Sequence, residues 1–298
     1  MPELSITVRV PATTANLGPG FDAVGIALTL YADITVGISP GRHVKRNPDP
    51  IRRMALGAVR ATYSHLSQRA PRGLYAVSES EFPVGRGLGA SAAARAAGLV
   101  AANALLGDHL GEAELLTLGA ELEGHADNIA PALFGGLQVV AVDGHKVARV
   151  SPTLKAGLRC AGFIPELSMP THESRELLPS RLSRADAVHN SSRAALLVAA
   201  LTSGAWDQLR VATDDRLHQR PRSKLFPRMF DLFDAATEAG AFAAYLSGGG
   251  STVIALTDAR RAERVRTALE NAADSYEIPG HGFIAEPSRT GAEVTRRS

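Results

Sequence analysis

The stretch "PVGRGLGASAAARAAG", residues 83–98, sets glycines at 85, 87 and 89 directly before an alanine-rich run with no acidic residue. A helix start leaves several backbone N–H groups without partners and carries a partial positive charge. Glycines ahead of it let the backbone wrap an anion, and small side chains behind it leave the approach open. The stretch therefore reads either as a turn feeding a buried helix or as a backbone cradle for phosphate. It is not a P-loop: the G-x-x-x-x-G-K-[ST] pattern is absent and no lysine follows the last glycine. "GRGLGAS" also lacks the Rossmann G-x-G-x-x-G spacing.

Outward from this turn, local patterns alternate between the periods of strand and helix. Ile6, Val8 and Val10 alternate as in a strand, broken at the turn-rich "PATTANLGPG" and followed by two β-branched runs ending near Ser39. "MALGAVRATYSHLSQ" reads as a helix and "GLYAVSESEFP" as a strand entering the glycine turn. Ser91 to Leu106 is a helix with Gly98 as a weak point, and "GEAELLTLGAELEG" is a second one stopped by Gly124. "ALFGGLQVVAV" reads as a strand with a glycine bend. The pattern restarts at residues 151–158, with "LRCAGFIPEL" as a strand, helices near 193–203 and 224–239, and "AAYLSGGGSTVIAL" as strand, glycine loop, strand. The polar tail "SRTGAEVTRRS" predicts a frayed end. Two α+β halves, 1–152 and 153–298, are expected.

The chain has 298 residues, 45% hydrophobic and 21% charged, which is ordinary globular composition. The net charge of +2 sets up no field that argues for nucleic acid or a membrane surface. The basic segment "GRHVKRNPDPIRR", 41–53, holds no aromatic residue on which bases could stack, and reads as a solvated loop. A single cysteine, Cys160, excludes an intramolecular disulfide. The N-terminus has no cationic start followed by a long apolar run, and no apolar run spans a bilayer; a soluble, cytoplasmic protein is the expectation.

Three segments, "PATTANLGPGFDAVGIAL" (11–28), "PVGRGLGASAA" (83–93) and "LSGGGSTVIAL" (246–256), stand in the order found in the GHMP kinases. The second resembles that family's P-x-x-x-G-L-G-S-S-A-A phosphate loop. The first, with "EGHADNIAPALFGG" (123–136), "THESRELLP" (171–179) and "DDRLHQRPR" (214–222), resembles the homoserine kinase branch. The resemblance implies a two-domain α+β GHMP kinase fold, with a ribosomal-protein-like N-terminal domain and a ferredoxin-like C-terminal domain. It also implies ATP-dependent phosphorylation of L-homoserine to O-phospho-L-homoserine, for threonine biosynthesis, with Mg2+. Another small alcohol as acceptor, or a non-catalytic ligand sensor on the same fold, are the alternatives. Homodimers are common in the family, though no interface is marked in the sequence.

The roles carried over are specific. Pro83, Val84, Gly85, Arg86, Gly87, Leu88, Gly89, Ala90, Ser91 and Ala92 would bind ATP. Ser91 and Glu123 would be the metal ligands, Glu121 being a weaker candidate; magnesium takes oxygen ligands, often few from protein. Asn16 and Asp22 would hold the substrate's polar groups, and Arg175 and Arg222, assisted by Thr171, its carboxylate. Asn128 stands where mevalonate kinases carry an aspartate proposed as general base. Asparagine cannot take a proton, so direct in-line attack is expected, with neighbouring Asp127 a minor candidate for base. His125 reads as structural. The sequence departs from the family at Ala90, usually serine; at Arg220 and Pro221, which cloud whether Arg220 or Arg222 reaches the pocket; and at Gly249 and Ser251, expected to loosen the third glycine loop. Arg86 could face the phosphates or solvent.

Overall fold

A computed structural model describes residues 4–39 and 49–298. The first half runs β1 (Leu4–Asn16), β2 (Gly20–Ile38), α1 (Pro50–His65), β3 (Leu74–Ser80), α2 (Ala90–Leu106), α3 (Glu112–Glu123), α4 (Ile129–Phe134), β4 (Leu137–Asp143) and β5 (Lys146–Val150). The second runs β6 (Leu158–Pro165), α5 (Thr171–Glu176), α6 (Arg184–Ser203), α7 (Leu209–Ala212), α8 (Gln219–Arg222), α9 (Met229–Glu238), β7 (Ala243–Leu246), β8 (Val253–Asp258), α10 (Ala262–Ser275), β9 (Gly280–Ala285) and β10 (Glu293–Arg297).

Two sheets result. The first has the order β10-β1-β2-β4-β5 with β3 also on β2; the second, antiparallel, has the order β7-β8-β6-β9. The polar tail is not frayed: it forms β10, which crosses back to pair antiparallel with β1, Ile6 opposite Arg297. Its residues are mostly exposed, so it lacks the apolar alternation that marks a strand in sequence; an edge position needs ladder bonds rather than burial. The chain thus changes sheet between β5 and β6 and recrosses after β9.

"PATTANLGPG" does not break β1 at its start: the strand runs on past Pro11 to Asn16. Pro11 sits at a bulge between Pro11 and Ala12, where a missing N–H is tolerated, and the hairpin closes only at Asn16, Leu17 and Gly18, all at positive φ. The two β-branched runs beyond are one 19-residue strand, β2. "ALFGG" is not strand: the chain forms the short α4, then turns at Gly135 and Gly136, both at positive φ, before β4.

Buried Val8, Ile26 and Ile34 of the first sheet share one core with the alanine face of α2 and with Leu197 and Tyr245 of the second half. Gly98 is more than a weak point in α2. A Cβ there would stand 2.2 Å from the Ala55 carbonyl oxygen, so the glycine sets how closely α1 packs. A second core joins α9 and α10 to the second sheet through Leu232, Val265 and Leu269.

Deleting residues 293–298 strips the ladder from β1 and is expected to cost about 2 kcal/mol or more, a few net hydrogen bonds at roughly 0.5–1.5 each. A urea midpoint unchanged from full length would show that β10 contributes nothing.

Candidate active site

A cleft of about 380 Å³ opens where α2, the loop after α3, α8 and the 247–252 loop converge. Its floor is the glycine turn. Gly85, Gly87 and Gly89 all have positive φ, and Gly89 caps α2 in the left-handed region with no side chain on the exposed N–H groups. That leaves the helix start open to an anion. Packing also demands these glycines. A Cβ on Gly87 would lie 2.1 Å from Ser247 O, and one on Gly89 would lie 1.9 Å from Thr13 Oγ1. The turn is bonded on both sides: Thr13 N donates to Leu88 O at 3.1 Å and Thr252 N to Arg86 O at 2.9 Å.

The members of the turn separate in role. Gly85, Gly87, Gly89, Ala90, Ser91 and Val84 line the cleft. Leu88 and Ala92 point into the core, and Pro83 is exposed, so any part they play is through backbone. Arg86 is half-buried and does not line the cleft: its Nε donates to Pro165 O at 3.0 Å and its Nη2 to Glu166 O at 2.6 Å, clamping the turn to the end of β6.

Ser91 Oγ donates to Glu123 Oε1, and the other carboxylate oxygen of Glu123 is held by Arg95, one helical turn beyond Ser91. Two adjacent oxygens lining the cleft beside the open helix start, one from a carboxylate oriented from behind, have the chemistry that suits a hard cation such as Mg2+. Glu121 is half exposed and pairs loosely with His145 instead. Asn128 lines the cleft and accepts from Thr13 Oγ1 at 2.8 Å. Asp127 does not diverge from it as adjacent side chains usually do. Both line the cleft, with Asn128 Nδ2 3.3 Å from Asp127 Oδ1.

His125 belongs to the cleft as well. Its Nδ1 is 2.7 Å from Asp127 Oδ1, and Asp22, His125 and Asp127 each bring a polar atom within 4.8 Å of the others. Burial disfavours the imidazolium, but the hydrogen bond and charge of Asp127, with Glu123, outweigh it and raise the pKa. Thr13, Arg95 and His125 were missed as site residues. The signal for Arg95 was its i+4 spacing from Ser91, and for Thr13 and His125 their place inside the two family-like segments.

Arg175 forms a fork on Asp22, with Nη1–Oδ2 at 3.0 Å and Nη2–Oδ1 at 2.5 Å. Asn16 holds Gly248 O through Nδ2 at 2.9 Å and accepts from Asp22 N at 3.1 Å, fixing the loop that carries Asp22. Thr171 opens α5, and its side chain lies outside the described set. Arg222, not the exposed Arg220, reaches the cleft. Arg222 is 1% exposed, yet no described carboxylate lies within ion-pair distance of it. Burial first, then the charge of Arg175, lower its pKa to about 10. A desolvated cation without a counter-ion marks an anion site. The third glycine loop is tied down rather than loosened. Ser251 donates to Leu167 O, Ser174 Oγ to Gly249 O at 2.9 Å, and Gly248 N to Ala15 O at 3.0 Å. Of the basic segment 41–53, residues 41–48 lie outside the described set; Pro50 within it and Met54 just after it line the cleft.

The sequence matches two family models in order, "GHMP kinases N terminal domain" over residues 53–136 and "GHMP kinases C terminal" over residues 195–275. The chain belongs to the GHMP kinase family. Its relatives place it in the homoserine kinase branch. The homoserine kinase of Moorella thermoacetica is 43% identical over 261 residues, 85% of this chain and 88% of that protein. That of Caldanaerobacter subterraneus is 38% identical over 302 residues, 98% of this chain and 96% of that protein. The crystal structure of homoserine kinase from Cytophaga hutchinsonii superposes with a TM-score of 0.87 at 27% identity, covering 97% of both chains.

His218 links this site to stability. Burial first, then Arg222 and against the pull of Asp215, pushes its pKa down to about 4. An unfolded histidine titrates near about 6.5, so between these values the unfolded chain binds a proton that the folded chain refuses. Stability should therefore fall as pH falls from about 6.5 to 4. His125, with its raised pKa, contributes with the opposite sign, so wild type and His218→Asn are compared by urea unfolding across the window. The variant should show the shallower loss; equal slopes would refute the assignment.

Proposed function

We propose that the chain transfers the γ-phosphoryl group of ATP to the hydroxyl of L-homoserine, yielding O-phospho-L-homoserine for threonine biosynthesis. The observation that carries this is the pairing of an uncapped, glycine-entered helix start with a buried Arg222 that has no carboxylate partner among the described residues, in one cleft. The first suits the phosphates and the second a substrate carboxylate. Asp22 and Asp127 lie close together beside His125 and suit the substrate's ammonium group. A zwitterionic amino alcohol fits all three features, whereas mevalonate has no amine and galactose no charge.

In this reading Gly85 to Ala92 cradle the phosphates through backbone N–H groups, with Pro83 and Val84 at the entry. Ser91 Oγ and Glu123 Oε1 would hold Mg2+, which would supply charge neutralisation for the phosphates and leaving group. Arg95 keeps the Glu123 carboxylate turned toward Ser91. Arg175 forks Asp22 in the structure, so substrate would enter by exchanging that internal pair for its own ammonium and carboxylate. Thr171 assists the carboxylate. Asn128, held by Thr13, orients the acceptor hydroxyl without taking its proton, and the proton leaves with the transferred phosphoryl group. Positioning and charge neutralisation supply the rate. A base role for Asp127 is a second reading, favoured by its place beside Asn128; base catalysis contributes roughly 10²–10⁴-fold. The cell compartment in this reading is the cytoplasm, and homodimers are common in the family that the sequence resembles. Among the described residues no helix is long and apolar enough to cross a membrane.

The test is magnesium-dependent ADP formation with L-homoserine, mevalonate, galactose or no acceptor. Turnover is expected with homoserine alone, falling by about 100-fold or more in Ser91→Ala and Glu123→Gln. Turnover with another alcohol would discard the substrate, and ATP binding without turnover would favour the sensor. Asp127→Asn should retain kcat within about tenfold; a loss of 10³-fold or more would assign it the base role.

A further inference from the structure

Arg222 has five N–H donors and no freedom to accept. Its Nη1 donates to Gly248 O at 2.9 Å and meets His218 Nδ1 at 2.9 Å, while Nε reaches Ser174 O at 3.4 Å. Three donors are thus used on the protein, and the two on Nη2 meet no acceptor among the described residues. The guanidinium is therefore oriented by its Nη1 edge, and the quality of that edge decides where Nη2 points.

His218 is fully buried, and its protonation is settled by its neighbours. Arginine can only donate, so Nδ1 must accept. The group opposite Nε2 is the Gly18 carbonyl at 2.8 Å, which can only accept, so Nε2 carries the hydrogen. The imidazole is a neutral bridge between Arg222 and the turn that carries Asn16 and Asp22. Its backbone is fixed in turn by Asp215, which accepts from Leu217 N at 2.9 Å, His218 N at 2.8 Å and Gln219 N at 2.7 Å, and from Asn190 Nδ2 at 2.8 Å. Phe21 packs against the imidazole at 5.4 Å between ring centroids, and Arg222 lies 5.5 Å from the Phe21 ring centre.

We propose that His218 is a positioning residue for substrate recognition. It holds Arg222 so that its Nη2 edge meets the substrate carboxylate, and couples that edge to the Asn16–Asp22 turn. This rests on the homoserine reading above. His218 touches no reacting atom; it acts through Arg222. The consequence is selective: its loss should weaken recognition of a carboxylate and leave the phosphate side intact. A merely structural histidine would not discriminate between substrates in that way.

The test uses His218→Phe, which keeps a ring against Phe21 but removes the acceptor, and His218→Asn, whose Oδ1 can stand in for Nδ1. Initial rates are measured with L-homoserine and with 3-aminopropan-1-ol, the same amino alcohol without its carboxylate. The ratio of the two kcat/KM values does not depend on how much of a preparation is folded. In His218→Phe that ratio is expected to fall at least tenfold, chiefly through the KM for homoserine, with the KM for ATP within twofold of wild type. His218→Asn should recover most of it, and in an Arg222→Ala background His218→Phe should change it no further. A ratio unchanged in His218→Phe, or one that falls as far in the Arg222→Ala background, overturns the proposal. If wild type turns over homoserine and the ratio is unchanged, only the positioning role fails. If wild type does not turn over homoserine, the substrate reading fails and the positioning role falls with it.

Discussion

The hydroxyl of Ser247 holds the seam on which the site depends. It donates to Gly87 O at 2.6 Å and lies 2.9 Å from Thr14 Oγ1, so one buried oxygen joins the second half's glycine loop, the glycine turn before α2 and β1. Neither half owns the cleft. The turn can approach Ser247 and Thr13 so closely only because positions 87 and 89 lack a Cβ and take positive φ. Sequence signals that suggest contact with phosphate therefore report, in equal part, contact between domains. Arg86 strengthens the same seam from the other end by capping carbonyls of β6 and the residue after it.

Electrostatics in the cleft are arranged as unfinished pairs. Glu123 is shared by Ser91 and Arg95, Arg175 takes both oxygens of Asp22, and Arg222 has hydrogen bonds but no carboxylate within ion-pair distance among the described residues. A buried cation costs several kcal/mol of desolvation unless an anion meets it, as order-of-magnitude estimates for buried ions show. The surrounding carbonyls and the neutral His218 lower that cost without cancelling the charge. A ligand that brings its own carboxylate then gains an interaction that water cannot match.

What could be read in advance follows a physical line. The α2 and α3 helices, the β6–β8 strands and the order of the glycine segments were legible because their signals are local: period, glycine position, alanine content. β1 was cut short at "PATTANLGPG" because Pro11 and Gly18 are turn signals in isolation. The bulge at Pro11 and the close packing of Gly18 on the Thr213 carbonyl are tertiary facts. β10 hid because an edge strand held by ladder bonds needs no apolar face. Most site residues named from family-like segments line the cleft or pair at its edge. Yet the pairings themselves, Thr13 with Asn128, Arg95 with Glu123 and His218 with Arg222, are set by tertiary contact and by which helix face turns inward; spacing and segment membership mark these residues without giving their partners. His125 was misjudged for a related reason. A lone histidine carries no spacing signal, and only the fold brings Asp22 and Asp127 around it.

The most direct test of the account is a crystal structure with L-homoserine, Mg2+ and a non-hydrolysable ATP analogue. The account predicts phosphates against the N–H groups at the start of α2, the homoserine carboxylate on Arg222, and the hydroxyl about 3–3.5 Å from the γ-phosphorus, a near-attack distance. Phosphates bound away from the Gly85–Ser91 turn, or homoserine bound with its carboxylate away from Arg222, would contradict it.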